Sequence, residues 1–207
     1  MVTSNNKRYY IMTNIDIANI SYEDLAHALY IKGMKDGYKK VTDKTKWREP
    51  VMADKLGHIA HTAISAGAGS DEYGSDAYDA KNKIYAEYKT TSISDGDEAT
   101  LRKLLNLPSK SGRKVKEFGI GGIYNGAYKQ SAIDAYSKID HYFGVFYQER
   151  CVLIAKIPTD IVIEQLTHNN NNRKAGQSTN LSGVGVPLSQ AEIVYDIRSE
   201  LQLEELI

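Results

Sequence analysis

Apolar residues recur at helical spacing in the first part of the chain. Ser21 followed by Asp24 resembles a capping box with Asp in place of Glu, which predicts a helix over residues 22–36. Pro50 is a favourable first helical residue, and it opens a second predicted helix over residues 50–66. The apolar stripe that supports this second helix consists of Met52, Leu56, Ile59, Ala60 and Ala63.

Short runs rich in aromatic and β-branched residues predict a sheet after these helices. Residues 142–147 and 151–157, separated by a short turn, predict a core β-hairpin, and a helix is predicted from Pro158. The glycine-rich residues 114–128 predict a strand or a close-approaching loop, and the polar residues 168–185 predict a loop or a disordered segment. The predicted fold class is therefore α/β, with a mixed central sheet flanked by helices.

The most informative chemistry lies in residues 74–91. Asp76 and Asp79 precede a polar turn, which leads into a strand-like run that carries Glu87 and Lys89. Because side chains alternate along a strand, Glu87 and Lys89 project from one face, and a hairpin brings Asp76 or Asp79 beside Glu87. Two carboxylates and an ammonium suit a hard divalent cation such as Mg²⁺ and an oriented water. Alternating charges on a solvated strand face explain the same pattern without chemistry.

Composition limits the remaining possibilities. At 207 residues with 42% hydrophobic content, the chain is predicted to form a single folded domain with a substantial core. No apolar run approaches the ~20 residues that span a membrane, and the N-terminus lacks the apolar stretch of a signal peptide. The single cysteine, Cys151, is predicted to be a buried strand residue. These features favour a cytoplasmic protein without membrane contact.

The charges balance, with 26 basic and 26 acidic residues and a net charge of zero. Such a balance does not by itself indicate a nucleic-acid binder, whose footprint is usually basic. The basic residues nevertheless fall in clusters, the first of them in a predicted loop over residues 38–49. Each cluster is either a solvated loop or a group of residues that binds phosphates on either side of the carboxylates. The clusters are Lys39, Lys40, Lys44, Lys46 and Arg48; Lys110, Arg113, Lys114 and Lys116; and Arg173 with Lys174.

The order of elements and the Asp…Glu-x-Lys pattern resemble the PD-(D/E)XK nucleases, and within them the PvuII-like type II restriction endonucleases. The resemblance covers roughly residues 50–165, through GSDAYDAKNKIYAEYKTTSI and IDAYSKIDHYFGVFYQERCVLIAKIPTDIV. Ser75 stands where the family name has Pro. The resemblance implies a restriction-endonuclease-like fold and one nuclease domain over residues 1–207. Within it, residues 1–70 are expected to form a helical dimerisation part and residues 71–207 the catalytic and recognition part.

The resemblance also implies roles for individual residues. Asp76, preferred over Asp79 because it is the first residue of an Asp-Ala-x-Asp pattern, is the first metal ligand and Glu87 the second. Tyr88 is counted with the metal site, and Lys89 orients or activates the attacking water. Two further residues are placed near the active centre by the same comparison: Asp54 and Tyr136.

Contacts with DNA are expected from two segments. Residues near 124–128 correspond to the segment that reads bases in the family, and the polar residues 168–182 provide amides and cations. A tight turn over 119–126 whose tyrosines fill the core explains the first segment equally well. The histidines of the family's reading segment are absent here, so the recognition sequence should differ. The candidate DNA-binding residues are Tyr124, Asn125, Tyr128, Asn172, Arg173 and Lys174.

The function implied by the resemblance is that of a Mg²⁺-dependent type II restriction endonuclease, with Mn²⁺ as a substitute. Such an enzyme acts on double-stranded DNA at a short palindromic site, as a homodimer, with a companion DNA methyltransferase in the same system. An alternative is another nuclease on the same fold, such as a repair nickase or a junction resolvase. A further alternative is a non-enzymatic domain that binds nucleic acid or protein, in which the three charged residues coincide by chance.

Overall fold

A computed structural model gives the fold of the chain. It describes residues 19–35, 45–60, 75–94, 96–127, 129–173 and 181–201. Two of the DNA-binding candidates, Tyr128 and Lys174, lie outside these residues. Within the described part, no helix is long and apolar enough to cross a membrane.

The first helix begins where the capping box predicts. α1 spans Tyr22–Lys35. The Ser21 hydroxyl accepts the Asp24 backbone N–H at 3.0 Å and donates to the Asp24 carboxylate at 2.7 Å. These bonds satisfy a backbone donor that the helix itself leaves unpaired, and they confirm the predicted start.

The second helix lies earlier in the chain than its apolar stripe predicts. α2 spans Thr45–Leu56, so it begins within the segment predicted as a basic loop, and Pro50 lies inside it. Gly57 adopts a positive φ of 68° and ends the helix. Residues Ile59–Ala60 then form strand β1. The prediction of a helix over residues 50–66 is therefore wrong at both ends. At its C-terminal end, the left-handed Gly57 stops the helix although the apolar spacing continues beyond it.

In the described part of the chain, β1 and the elements that follow it form a six-stranded mixed sheet, a separate two-stranded ribbon, three α-helices and two short 3₁₀ helices, which confirms the predicted α/β class. The strand order of the large sheet is β1-β2-β3-β5-β6-β8, with β3 and β5 parallel and the other neighbours antiparallel. The ribbon pairs β4 with β7 antiparallel. The strands are β2 (Ala77–Asp79), β3 (Ile84–Ile93), β4 (Gly119–Asn125), β5 (Asp140–Tyr147), β6 (Arg150–Ile157), β7 (Leu181–Pro187) and β8 (Glu192–Asp196), and the helices are α3 (Glu98–Leu104), α4 (Gln130–Tyr136) and α5 (Thr159–Asn171).

The core hairpin and the helix after Pro158 are confirmed as β5, β6 and α5, but the predicted loop over residues 168–185 is wrong at both ends. α5 continues to Asn171, and β7 begins at Leu181. Side-chain amides of α5 form hydrogen bonds with the backbone of β7. The spacing of apolar residues in the sequence does not reveal this stabilisation.

Hydrophobic cores lie on both faces of the large sheet. The core between the sheet, the ribbon and α3–α5 includes Leu104, Ile133, Phe143 and Leu166. The core beneath α2 includes Met52, Tyr88, Tyr142 and Phe146, together with Cys151, which is buried as predicted.

Helix α2 is held closely against the centre of the sheet. A Cβ atom on Gly144 of β5 would lie 2.5 Å from the Met52 sulfur, so the Met52 side chain packs directly on the glycine backbone. The Trp47 ring meets Phe146 edge to face, with 5.5 Å between the ring centroids. This packing fixes the part of the helix that carries Glu49.

The structure removes Arg48 from the predicted phosphate-binding clusters and leaves Lys110 exposed, in an ion pair. Arg48 is buried, donates to Glu149 at 3.1 Å, and lies 5.0 Å from the centre of the Phe146 ring. Lys110 forms an ion pair with Glu98 of α3. Arg48 therefore anchors α2 to the turn between β5 and β6 rather than facing solvent.

Candidate active site

The hairpin of β2 and β3 brings Asp76 beside Glu87. Ala77 pairs with Ala86 across the antiparallel strands, and the Asp76 N–H donates to the Ala86 carbonyl at 2.8 Å. Continuing this register places Asp76 opposite Glu87. The Asp76 carboxylate also accepts the Tyr88 backbone N–H at 2.7 Å. The predicted strand pair is therefore confirmed, and it delivers Asp76 to the face that carries Glu87 and the lysine two residues later.

Asp79 has a different role. Its carboxylate accepts the backbone N–H groups of Lys81 at 2.9 Å and Asn82 at 3.0 Å, and the Asn82 side-chain amide at 2.7 Å. Burial raises the pKa of Asp79, but the hydrogen bonds from Asn82 and Lys81 outweigh it and lower the pKa overall. On the other side, His58 Nε2 lies 3.6 Å from its Oδ2 atom. Asp79 therefore holds the hairpin turn, and Asp76 is the aspartate that lies beside Glu87.

Glu87 is a buried carboxylate in which one oxygen has no hydrogen-bond partner among the described residues. Its side chain is 6% exposed, and Lys89 donates to Oε1. Oε2 is buried and has no hydrogen-bond partner among the described residues. Burial raises the pKa of Glu87, the negative charge of Asp76 raises it further, and Lys89 opposes both. An unpaired buried carboxylate oxygen is costly, so this position favours a cation or a proton.

Lys89 lies in a socket formed by β4. A Cβ atom on Gly122 would lie 2.5 Å from Cγ of Lys89 and 2.7 Å from its Cβ, so the lysine stem packs directly on the glycine backbone. The ammonium lies over the Tyr124 ring, 5.0 Å from its centroid, within the range of a cation–π interaction. The ammonium is therefore held between an aromatic ring and the Glu87 carboxylate.

His141 fixes the Tyr124 ring from behind. His141 Nε2 lies 3.0 Å from the Tyr136 carbonyl oxygen, which can only accept, so Nε2 carries the hydrogen. Nδ1 then accepts from the Tyr124 hydroxyl at 3.2 Å. Burial is the main reason that the pKa of His141 falls to about 4, so the ring stays neutral. Sequence reasoning missed Gly122 and His141, because their roles depend on β4 crossing β3.

A third carboxylate, Glu49, comes from α2 and was also missed. Burial and the charge of Asp76 raise the pKa of Glu49 to about 7, with Lys89 opposing them. Glu49 therefore lies within electrostatic reach of both residues. It stands three and four positions before the buried Met52 and Ala53, on the inward face of the helix. If the predicted helix had been extended to residues before Pro50, its buried stripe would have included the acidic Glu49.

Asp54, the helix residue implied by the resemblance, is exposed. It lines a cavity of about 350 Å³ with Glu23, Lys55 and His58, between α1 and α2. The acidic residue that α2 contributes to the candidate site is Glu49 instead.

Tyr88 and Tyr136 contribute to the site in different ways. The Tyr88 side chain points to the α2 face, where its hydroxyl lies 2.7 Å from His58 Nδ1, so only its backbone meets Asp76. Tyr136 is 7% exposed. Burial raises the pKa of Tyr136, and the charges of Glu87 and Asp76 raise it further. Tyr136 therefore lies within electrostatic reach of both carboxylates.

The DNA-binding candidates are scattered. Tyr124 is 1% exposed, and its hydroxyl is used by the buried histidine, so its position supports a core role and not a base contact. Asn125 ends β4 opposite Leu181. Asn172 is exposed, with its amide donating to the His168 carbonyl at 2.9 Å, and Arg173 follows it.

The donor groups of this site fit a hard divalent cation. Among the described residues, no three His, Cys, Asp or Glu side chains converge as a ready-made metal centre. The register places Asp76 opposite Glu87, whose Oε2 atom has no hydrogen-bond partner among the described residues, and Glu49 lies within electrostatic reach of both. Carboxylate oxygens are the ligands that Mg²⁺ and Mn²⁺ prefer. The residues present are thus suited to such an ion.

No family model matches the chain, and no curated protein matches it. What the chain can do is therefore inferred from the arrangement of Asp76, Glu87 and Lys89. Two acids and a fixed ammonium on one strand face can bind a cation, orient a water and stabilise negative charge on a phosphate.

Proposed function

We propose that the chain is a Mg²⁺-dependent nuclease that hydrolyses phosphodiester bonds of double-stranded DNA, with the chemistry of a type II restriction endonuclease. The observation that carries this proposal is the buried Glu87 carboxylate, which has Oε1 bound to Lys89 and Oε2 without a partner among the described residues. Such a carboxylate is suited to bind a metal ion through Oε2 while Oε1 positions the Lys89 ammonium.

Asp76 and Glu87 would hold the ion, and Glu49 would add negative charge within electrostatic reach of them. Burial raises the pKa of both Glu87 and Glu49, and the negative charge of Asp76 raises both further against the opposing charge of Lys89. When bound, Mg²⁺ lowers the pKa of a coordinated water and neutralises charge on the phosphate. The Tyr88 backbone N–H fixes one oxygen of Asp76, so the strand itself orients this ligand.

Lys89 would orient the attacking water and offset charge that develops on the phosphate. An ammonium has three N–H donors and no free lone pair to accept a proton, so orientation of the water is the role that its chemistry supports. Gly122 and the Tyr124 ring hold the ammonium against Glu87, which limits its motion. A fixed donor of this kind stabilises a transition state without reorganising.

The proposal includes a homodimer that cuts both strands of a short palindromic site. One active site cuts one strand, and two-fold DNA is matched by a two-fold protein. Tyr22, Leu25 and Leu29 are exposed at helical spacing on α1, which supports the N-terminal part as the contact between copies. Light scattering should give about twice the 23.1 kDa chain mass. A monomer, both alone and on DNA, would contradict the dimer.

Within this proposal the protein works in the cytosol, beside a companion methyltransferase that protects host DNA. The experiment that tests the activity is digestion of plasmid DNA in Mg²⁺, compared with Lys89→Ala. Discrete fragments from the wild type alone are expected. Nicked products or cutting only at branches would indicate another nuclease on the same fold. Intact DNA after incubation with folded wild-type protein would contradict the proposal.

A further inference from the structure

His58 lies where the chain turns from α2 into β1. Gly57 adopts a left-handed conformation with a φ of 68°, and the His58 backbone N–H donates to the Ala53 carbonyl at 2.8 Å. These contacts fix the backbone of His58 against the end of α2. Its side chain is 6% exposed, so the imidazole is turned inward against the sheet. A buried imidazole needs partners for both ring nitrogens, because an unpaired polar atom is costly there.

Both ring nitrogens of His58 face the hairpin of β2 and β3. Nδ1 lies 2.7 Å from the Tyr88 hydroxyl on β3, and Nε2 lies 3.6 Å from Asp79 Oδ2 on β2. A carboxylate only accepts, which favours the hydrogen on Nε2, and the Tyr88 hydroxyl then donates to Nδ1. The rings of His58 and Tyr88 also stack, with 6.2 Å between their centroids and 21° between their planes. One side chain therefore joins the two strands of the hairpin from the α2 face.

The two residues that His58 joins are linked to the two carboxylates of the candidate site. The Tyr88 backbone N–H donates to the Asp76 carboxylate at 2.7 Å, and Tyr88 directly follows Glu87. Asp79 lies three residues after Asp76 and holds the hairpin turn. A shift of Tyr88 or Asp79 relative to the other strand would therefore change the separation of the two carboxylates on the opposite face of the sheet.

We propose that His58 is a positioning residue for the metal site, which holds the two strands of the hairpin so that Asp76 and Glu87 keep the separation that a divalent cation needs. The inference rests on the proposed function, which supplies the cation. Mg²⁺ demands near-ideal octahedral geometry, so its affinity is sensitive to small displacements of a carboxylate ligand. Removal of a group that orients metal ligands typically weakens metal binding roughly 10- to 100-fold.

Tyr142 provides a matched control for Tyr88. The two tyrosines are direct partners in the parallel pair of β3 and β5, and they are 6% and 2% exposed, respectively. The Tyr142 ring also meets His58, edge to face, with 5.4 Å between the centroids. Its hydroxyl, however, donates to Asp140 of β5 at 3.4 Å and not to a residue of the hairpin. Tyr142→Phe therefore removes a hydroxyl from the same core without releasing the hairpin.

The test measures Mg²⁺ binding by titration calorimetry, without DNA, for the wild type and four variants. The variants are Tyr88→Phe, His58→Leu, His58→Asn and Tyr142→Phe. We expect Tyr88→Phe and His58→Leu to bind Mg²⁺ about tenfold more weakly than the wild type, and Tyr142→Phe to bind it equally well. His58→Asn should recover part of the affinity that His58→Leu loses, because its amide oxygen can accept the Tyr88 hydroxyl.

Urea denaturation of the same proteins separates positioning from general loosening of the core. A folded Tyr88→Phe protein that binds Mg²⁺ like the wild type would overturn the inference, as would a wild type that binds no Mg²⁺. Equal losses of Mg²⁺ affinity in Tyr88→Phe and Tyr142→Phe would also overturn it, since they would follow from core stability alone. Tyr88→Phe removes a single oxygen atom, so it decides the test even if His58→Leu does not fold.

Plasmid cleavage in Mg²⁺ by these proteins distinguishes this inference from the proposed function. A wild type that binds Mg²⁺ in a His58-dependent manner but cuts no DNA would contradict the nuclease and support the positioning role. A wild type that cuts DNA, with Mg²⁺ affinity unchanged in Tyr88→Phe, would support the nuclease and contradict the positioning role. If both are correct, Tyr88→Phe needs about tenfold more Mg²⁺ for half-maximal cleavage, and its rate at saturating Mg²⁺ stays near that of the wild type.

Discussion

The ammonium of Lys89 lies over the ring of Tyr124, 5.0 Å from its centroid, while the Tyr124 hydroxyl is bonded to the buried His141. The position of the ammonium is therefore set from three sides: by the ring, by the Gly122 backbone under the lysine stem, and by the Glu87 carboxylate. Each side can be changed separately.

The Gly122→Ala variant tests the backbone side of this socket. The added methyl group would lie 2.5 Å from Cγ and 2.7 Å from Cβ of Lys89, close to the main chain, where the lysine cannot simply swing aside. We expect DNA cleavage to fall about 100-fold, the cost of a misplacement near 1 Å. Single-turnover cleavage of plasmid DNA measures the effect.

Gly144→Ala is the matched control for this variant. Its methyl group would also lie 2.5 Å from a neighbour, but that neighbour is the flexible Met52 side chain on the other face of the sheet. Both variants should lose ~1–3 kcal/mol of unfolding free energy from overpacking, and only Gly122→Ala should lose cleavage. Equal losses of cleavage would show that the effect of Gly122→Ala is general strain.

The Tyr124→Phe variant separates the ring from its hydroxyl. Phenylalanine keeps an aromatic face under the ammonium but leaves the buried His141 Nδ1 atom without its donor. We expect a loss of ~1–3 kcal/mol in unfolding free energy, with cleavage retained. Urea denaturation and cleavage assays check the two parts. A stable Tyr124→Phe protein that no longer cuts would mean that the hydroxyl acts in the chemistry, contrary to this assignment.

Glu49 predicts a particular pH dependence. Its pKa rises from 4.5 to about 7 in the folded metal-free protein, so the folded state holds its proton more tightly than the unfolded state. The stability that this provides is fully present below about 4.5 and is lost as pH rises through about 7. Glu49→Gln should remove this contribution. The difference in unfolding free energy between wild type and Glu49→Gln, measured in urea across this range, should therefore vary with pH, and a constant difference would contradict the assignment.

The metal prediction follows from the same carboxylates. Mg²⁺ or Mn²⁺ should support cleavage, whereas Ca²⁺ should support DNA binding without turnover, because it is larger and less demanding in geometry. Titration calorimetry should show Mg²⁺ binding that Glu87→Gln abolishes. Asp54→Asn provides the control, since Asp54 is an exposed carboxylate on the helix that carries Glu49. Cleavage that survives thorough chelation would contradict the metal mechanism.

The parts of the site that lie in one hairpin could be predicted from the sequence. Asp76, Glu87 and Lys89 come together because strand alternation and a short turn fix which side chains share a face. The hairpin of β5 and β6 was predictable for the same local reason.

The parts that depend on contacts distant in the sequence could not be predicted. Glu49 lies before Pro50 in a helix that begins earlier than the proline suggests. Gly122 reaches Lys89 only because β4 packs across β3, and no local pattern specifies that crossing. The Gln165 amide on α5 forms hydrogen bonds with the backbone of Gly185 in β7. The spacing of apolar residues does not predict such bonds, so it did not predict the continuation of α5 or the start of β7.

The central claim is that Asp76, Glu87 and Lys89 form a metal-dependent phosphodiesterase site, and the most direct test is plasmid cleavage by Lys89→Ala in Mg²⁺. The Lys89 side chain is 19% exposed and forms an ion pair with Glu87, so Lys89→Ala removes the ammonium from beside this carboxylate. We expect the variant to stay folded, to bind DNA and to lose cleavage. A surface ion pair of no catalytic importance would cost only ~0–1 kcal/mol of stability and no activity. Cleavage by Lys89→Ala at near the wild-type rate would contradict the claim.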